Sequence, residues 1–427
     1  MTHPAATGEV GWAPDLAGTR VPGPGDAGRW SQLDRSARPA RLARFRARLE
    51  REGVDAYFGV RRENTRYLTG FALGDGEEKV AGVSGQFFVS ADEAVVLADS
   101  RYRLQAEAEC PDARIENVYN DFVPRWQEIA ASLRPVGSGA AAGTGGTAGA
   151  RRIAVEAGFV SHATWTRLAA ASPGLELVPA EGWIEELRQV KEPSEIERIG
   201  AACAVADEAL ARLLPQIRPG VTEHELALAL EWEMRTHGAE SLAFDVAVLA
   251  GPMAALPHGS PGDRPVVAGQ VLLFDFGAQV AGYRSDMTRT LFVGEPSARD
   301  RDVYRLVAAS QLAAFAALRD AVAAGEHPLN RAIDAAARDV IVAAGHGDHF
   351  GHGLGHGIGL ATHELPSLGR LAPEEALPSP TVFSVEPGVY LDGETGVRIE
   401  DLVLFDPEAH LLERLTGFPR EVTVVGE

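Results

Sequence analysis

Asp275, Asp286, His356, Glu386 and Glu400 are residue types that hold divalent cations, and they fall in the later part of the chain in two hairpin-like segments. Four carboxylates and one imidazole are costly to gather in a fold. Like charges repel and resist desolvation unless cations lie between them. The set therefore predicts a hydrolytic centre built on two metal ions.

The first segment, 271–277, is apolar with one acid, Asp275; after a short Gly-containing link, 283–293 is strand-like and carries Asp286. This reads as an antiparallel hairpin. A turn centred between Val280 and Ala281 puts Asp275 directly opposite Asp286, where like charges destabilise the pair without an intervening cation. Leu272, Phe274 and Phe276 occupy one strand face and Leu273 shares the other with Asp275. A strand that apolar is buried on both sides.

The arrangement recurs in 381–390 and 397–404, joined by a Gly-rich link. A hairpin centred on Gly393 pairs Glu386 with Glu400. Between the two hairpins lie His352, His356 and His363, in a stretch rich in Gly with Leu354, Ile358 and Leu360. Three histidines in twelve residues suit metal ligation or proton transfer.

The positioning elements follow from periodicity. Residues 36–53 are helical, with Leu42, Phe45 and Leu49 on one face. Strand-like runs at 54–60, 86–90, 94–98 and 153–156, with a helical 101–109, give an α/β domain over 29–185. Residues 1–28, rich in Pro, Gly and Ala, are expected to be a disordered tail, and 136–150 a flexible Gly-rich insertion. A second domain occupies 190–427. It opens after Lys191-Glu192-Pro193, where Ser194 and Glu197 match a capping box; Thr222 and Glu225 match another. Helices at 298–324 and 328–344 precede the second hairpin. Helix, helix, hairpin thus occurs twice, and an approximate two-fold relation between the halves would set the acid pairs against each other.

The net charge of −20 disfavours nucleic acid or an anionic membrane as partner. No apolar run stands out as long enough to span a bilayer, no signal peptide is evident, and two cysteines make no disulfide framework. A cytoplasmic protein is expected.

The runs Asp275-Phe276-Gly277, Ser285-Asp286-Met287-Thr288-Arg289-Thr290, Gly355-His356-Gly357-Ile358-Gly359, Glu386-Pro387-Gly388 and Arg398-Ile399-Glu400-Asp401, in this order, resemble the M24 metallopeptidase family, which includes methionine aminopeptidase, aminopeptidase P and prolidase. Asn64-Thr65-Arg66-Tyr67-Leu68-Thr69-Gly70-Phe71 and Ala98-Asp99-Ser100-Arg101-Tyr102 resemble the extra N-terminal domain of Xaa-Pro peptidases and creatinase. The resemblance implies an α+β pita-bread catalytic domain with pseudo-two-fold symmetry behind an α/β creatinase/prolidase-type domain. It also implies a homodimer that cleaves Xaa-Pro dipeptides or short peptides. Two divalent ions, manganese first, with cobalt or zinc as alternatives, would sit on Asp275, Asp286, His356, Glu386 and Glu400 and share an activated hydroxide. Catalytic roles fall to His258, His363 and Glu386, and substrate contacts to His258, His352, His363 and Arg398. Arg398 and Tyr390 would orient the carboxylates. The alternatives are a creatinase-like hydrolase or lyase acting on a small zwitterion, and a non-enzymatic binding module. Creatinase lacks the metal ligands that this chain has.

Overall fold

The computed structural model describes residues 19–73, 84–119, 121–137 and 151–426. Two compact units emerge: Ser31–Arg188, and Gln189–Glu427 joined by the N-terminal segment up to Trp30.

The smaller unit is built on a six-stranded sheet. Its strands are β1 (Ala56–Gly59), β2 (Phe87–Val89), β3 (Ala94–Ala98), β4 (Arg114–Asn117), β5 (Arg152–Glu156) and β6 (Glu176–Ala180), ordered β4-β3-β2-β1-β5-β6. β1 pairs parallel with β5 and antiparallel with β2, so the sheet is mixed. Phe58, Phe88 and Trp126 form the aromatic centre of its core.

The N-terminal helix runs Asp26–Arg51 and so begins inside the segment expected to be a tail. Asp26 accepts the Gly23 N–H at 2.7 Å and sits in the positive first turn, which favours its charge. Trp30 is 3% exposed and joins the core of the larger unit. The rest of the expected tail, 1–18, lies outside the described residues, as does 138–150 of the Gly-rich insertion; Val136 and Gly137 are in a turn.

In the larger unit, helices Pro193–Leu213 and Glu223–Thr236 precede one set of strands, and helices Ala298–Ala324 and Asn330–Ala343 precede another. The first capping box differs in position from the expected one. Glu192 caps and Glu195 reciprocates, because Pro193, with no N–H to lose, takes the first helical position. The Thr222–Glu225 box forms as the spacing predicts. Helix Ala298–Ala324 does meet the length and composition of a membrane span, correcting the sequence reading. Val307, Phe315 and Leu318 on it are core residues, however, and Gln311 donates to the Val385 and Ile399 carbonyls. It packs one face on the core of the second half.

The strands of the first half are β7 (Ser241–Leu242), β8 (Ala247–Ala250), β9 (Val271–Phe276), β10 (Ala278–Val280), β11 (Tyr283–Arg284) and β12 (Met287–Val293). Those of the second are β13 (Gly355–Gly357), β14 (Glu364–Leu368), β15 (Thr381–Val385), β16 (Gly388–Leu391), β17 (Thr395–Arg398), β18 (Asp401–Asp406) and β19 (Leu411–Arg414). A last short strand, β20 (Val424–Val425), returns to β12. β9 is buried on both faces. Leu272, Phe274 and Phe276 belong to the core of the first half, Val271 and Leu273 to that of the second. Asp275 continues the Leu273 face, so strand period alone turns it toward the second half.

Candidate metal centre

The first hairpin departs from its expected register. Asp275 pairs with Thr288, not Asp286. The turn is Ala281-Gly282, both at positive φ (47° and 82°), between the paired Val280 and Tyr283. This is the two-residue turn whose twist suits a hairpin. The turn centre shifts by one residue and the cross-strand partner by two. A shift of two preserves the face, so Asp286 stays on the side of Asp275 as its diagonal neighbour. The second hairpin has the expected register: Gly388 pairs with Arg398 and Val385 with Asp401, and the same alignment sets Glu386 opposite Glu400.

Asp275, Asp286, His356, Glu386 and Glu400 all line one cavity of about 410 Å³, together with His258, His352, His363 and Arg398. Ligand atoms of Asp286, His356 and Glu400 lie within 4.8 Å of one another. His356 Nε2 is 3.3 Å from Glu386 Oε1 and 3.7 Å from Asp286 Oδ2. His356 Nδ1 is 3.0 Å from the Gly357 carbonyl, which only accepts; Nδ1 therefore carries the proton and Nε2 presents a lone pair to the cavity.

Burial and the charges of Glu400 and Asp275 hold the Asp286 carboxyl well above the usual range. Burial, with Glu386 and Asp275, does the same to Glu400, and burial raises Glu386. Burial lowers the basicity of His352, His356 and His363, favouring neutral imidazoles. Glu400 Oε1 is buried without a hydrogen-bond partner. An unpaired acceptor among repelling acids is the signature of a cation's place. The donor set, oxygen-dominated with one imidazole nitrogen, fits a hard or borderline divalent ion.

Three side chains that the sequence reading passed over complete the surroundings. Arg398 donates to Asp275 Oδ2 (2.5 Å), to the Tyr390 hydroxyl (2.9 Å) and to Thr288 Oγ1 (2.8 Å). Arginine can only donate, so the Thr288 hydroxyl must accept from it, and its own proton goes to Glu400 Oε2 at 2.7 Å. That leaves Oε1 for a cation. Ser384 Oγ accepts the His356 N–H and donates to Glu386 Oε1, each at 3.0 Å. Phe244 adds apolar wall beside Pro257 and His258. Tyr390 OH accepts from Arg398 and, at 2.9 Å, donates to His352 Nε2, whose Nδ1 proton is spent on the Gly353 carbonyl at 2.7 Å. Thr288→Val keeps the shape and removes the hydroxyl. It is expected to weaken divalent-ion affinity by about 10–100-fold, with Thr288→Ser near wild type, as read by manganese titration.

Two repeated halves that face acid pairs across a shared cavity define a metallohydrolase architecture. Residues 197–407 match the model of metallopeptidase family M24, and 41–190 that of the creatinase/prolidase N-terminal domain. The chain is 31% identical to the uncharacterized peptidase YqhT of Bacillus subtilis, over 90% of its own length and 100% of that protein. Among solved structures it is similar to the Xaa-Pro dipeptidase from Bacillus anthracis (TM-score 0.77, 30% identity, 90% and 99% of the two chains). It is also similar to the X-Pro aminopeptidase from Thermotoga maritima (TM-score 0.75, 32% identity, the same coverage). The chain belongs to metallopeptidase family M24. Its larger unit has the pita-bread fold and its smaller unit is a creatinase/prolidase-type domain.

Proposed function

We propose that this metallopeptidase removes the N-terminal residue from Xaa-Pro dipeptides or short Xaa-Pro peptides, using two divalent ions, manganese first. Support comes from the convergence of all five candidate ligands on one cavity and from relatives named for X-Pro cleavage. When bound, such ions supply an activated water and polarise the scissile carbonyl.

The chain's own groups do the rest. Asp275, Asp286, His356, Glu386 and Glu400 hold the ions, and Arg398 fixes the Asp275 carboxylate through its 2.5 Å contact. Glu386, whose Oε1 lies 3.3 Å from His356 Nε2, is assigned the passage of a proton from the attacking water to the departing imino nitrogen. His258 and His363 are exposed at the cavity wall and are assigned to the peptide and its developing negative charge. His352 lines the same wall, its Nε2 occupied by Tyr390. A homodimer is part of the same reading. So is a cytoplasmic location, in keeping with two buried, unpaired cysteines.

The test is a panel of Xaa-Pro, Xaa-Pro-Yaa and Xaa-Ala peptides, with creatine as a non-peptide control, in the presence of manganese. Release of Xaa from the first two alone is expected. Equal turnover of Xaa-Ala, or turnover of creatine only, would overturn the reading. The ratio of the first two rates separates dipeptidase from aminopeptidase preference.

A further inference from the structure

Lysine is scarce in this chain: Lys79 and Lys191 are the two lysines among 40 basic side chains. Lys79 lies outside the described residues. The Lys191 side chain is 1% exposed and pairs at 3.1 Å with Glu364, which is 3% exposed. The other oxygen of Glu364 accepts the Ala361 N–H at 2.8 Å. The Lys191 N–H is bonded to the Pro380 carbonyl at 2.8 Å, just before β15. A second anchor is the Arg284 N–H, which donates to the Gly359 carbonyl at 2.9 Å. The Arg284 guanidinium reaches Thr362 Oγ1 at 3.2 Å and the Ala243 carbonyl at 3.0 Å. Segment 359–364 is thus held by two separate anchors, Lys191 and Arg284. His363 within it is exposed, lines the cavity, and stands with its ring 4.2 Å from that of His356.

The clamp is also tight. A Cβ on Gly359 would lie 2.9 Å from Glu364 Oε2 and 3.1 Å from Lys191 Nζ. A compact ammonium fits there, whereas the planar guanidinium this chain uses almost everywhere else is broader. A buried ion pair adds little net stability but is expensive to open, because opening strands a charge out of water. It therefore suits holding a loop in one place.

We propose that Lys191 and Glu364 form a positioning pair that locks segment 359–364 so that His363 faces the cavity, acting on turnover through His363. This rests on the assignment of His363 to the peptide. Lys191→Met breaks the pair; Lys191→Met with Glu364→Gln removes both charges at similar volume and guards against a folding failure of the single variant.

Two measurements test the proposal on the full-length, manganese-loaded protein. Amide exchange over 359–364 is expected to speed up about tenfold or more in both variants. kcat/KM on an Xaa-Pro peptide is expected to fall about tenfold in Lys191→Met, with manganese affinity within about twofold of wild type. In a His363→Ala background the same substitution is expected to cost nothing further, because both act through one group. Unchanged exchange in both variants overturns the clamp. An equal rate loss with and without His363 overturns the route through His363. Wild-type turnover by His363→Ala would instead remove the peptide assignment of His363 and with it that route, while the exchange data still decide the clamp.

Discussion

Asp286→Ala is expected to reduce kcat/KM on Xaa-Pro peptides by about 10³-fold or more and to lower bound metal below that of the wild type. Asp286 is 4% exposed and sits within ligand distance of both His356 and Glu400. Asp286 would hold an ion jointly with those two side chains, so its loss removes a donor from the most tightly gathered part of the ligand set. A metal ion that polarises a carbonyl and activates water contributes several kcal/mol to the barrier, and each 1.36 kcal/mol is tenfold in rate. Asp286→Asn, which keeps shape and loses charge, is expected to sit between alanine and wild type in metal content and close to alanine in rate. Metal analysis beside release of Xaa checks both. Full activity in Asp286→Ala would remove this residue from the ligand set.

Stripping the metal is expected to make stability depend on pH in a direction opposite to ordinary acid denaturation. Asp286, Glu386 and Glu400 are raised by burial and mutual repulsion. The folded state then keeps protons that the unfolded chain has released. The stability these groups contribute is complete below the usual carboxylate range and is lost as pH climbs through their raised values. The Tm of the metal-free protein should therefore decline as pH rises above the usual carboxylate range. Asp207, pushed up to about 6 by burial, adds the same sign but is not among the cavity residues. The diagnostic part is thus what manganese reverses. A cation at 100 times its Kd adds about 2.7 kcal/mol, and its binding must expel the retained protons. Calorimetric titration in buffers of different ionisation heat counts them. Binding without proton release would contradict the crowded-acid picture.

Much of the fold is written in local pattern. The helix spanning Ala298–Ala324 and the Thr222 cap follow directly from apolar spacing and capping chemistry. The second hairpin is legible because Gly393 marks its turn with a positive φ of 71°. The first hairpin is not, because its turn places Ala281 at positive φ, which alanine rarely adopts and which sequence does not advertise. The error left both acids on one face, so the candidate site survived it. Thr288 carried a usable signal. Two residues beyond Asp286 on a buried strand, a polar side chain must face the same way and needs a partner. Ser384 carries the same signal two residues before Glu386. Phe244 carried none, since it reaches the cavity through long-range packing from outside both hairpins.

Neighbouring residues on these strands serve opposite masters. Glu400 faces the cavity while Asp401, one step on, is fully buried on the other side, held by Arg289, Gln311 and Thr416. Thr288 and Arg289 divide in the same way, the first toward Glu400, the second toward Asp401. A slip of one residue would exchange each member of both couples, delivering an acid to the wrong compartment without altering composition. Strand alignment is therefore a precondition of the centre: only the native register gathers Glu400 and its fellow acids on one side of the sheet, where an ion could hold them together.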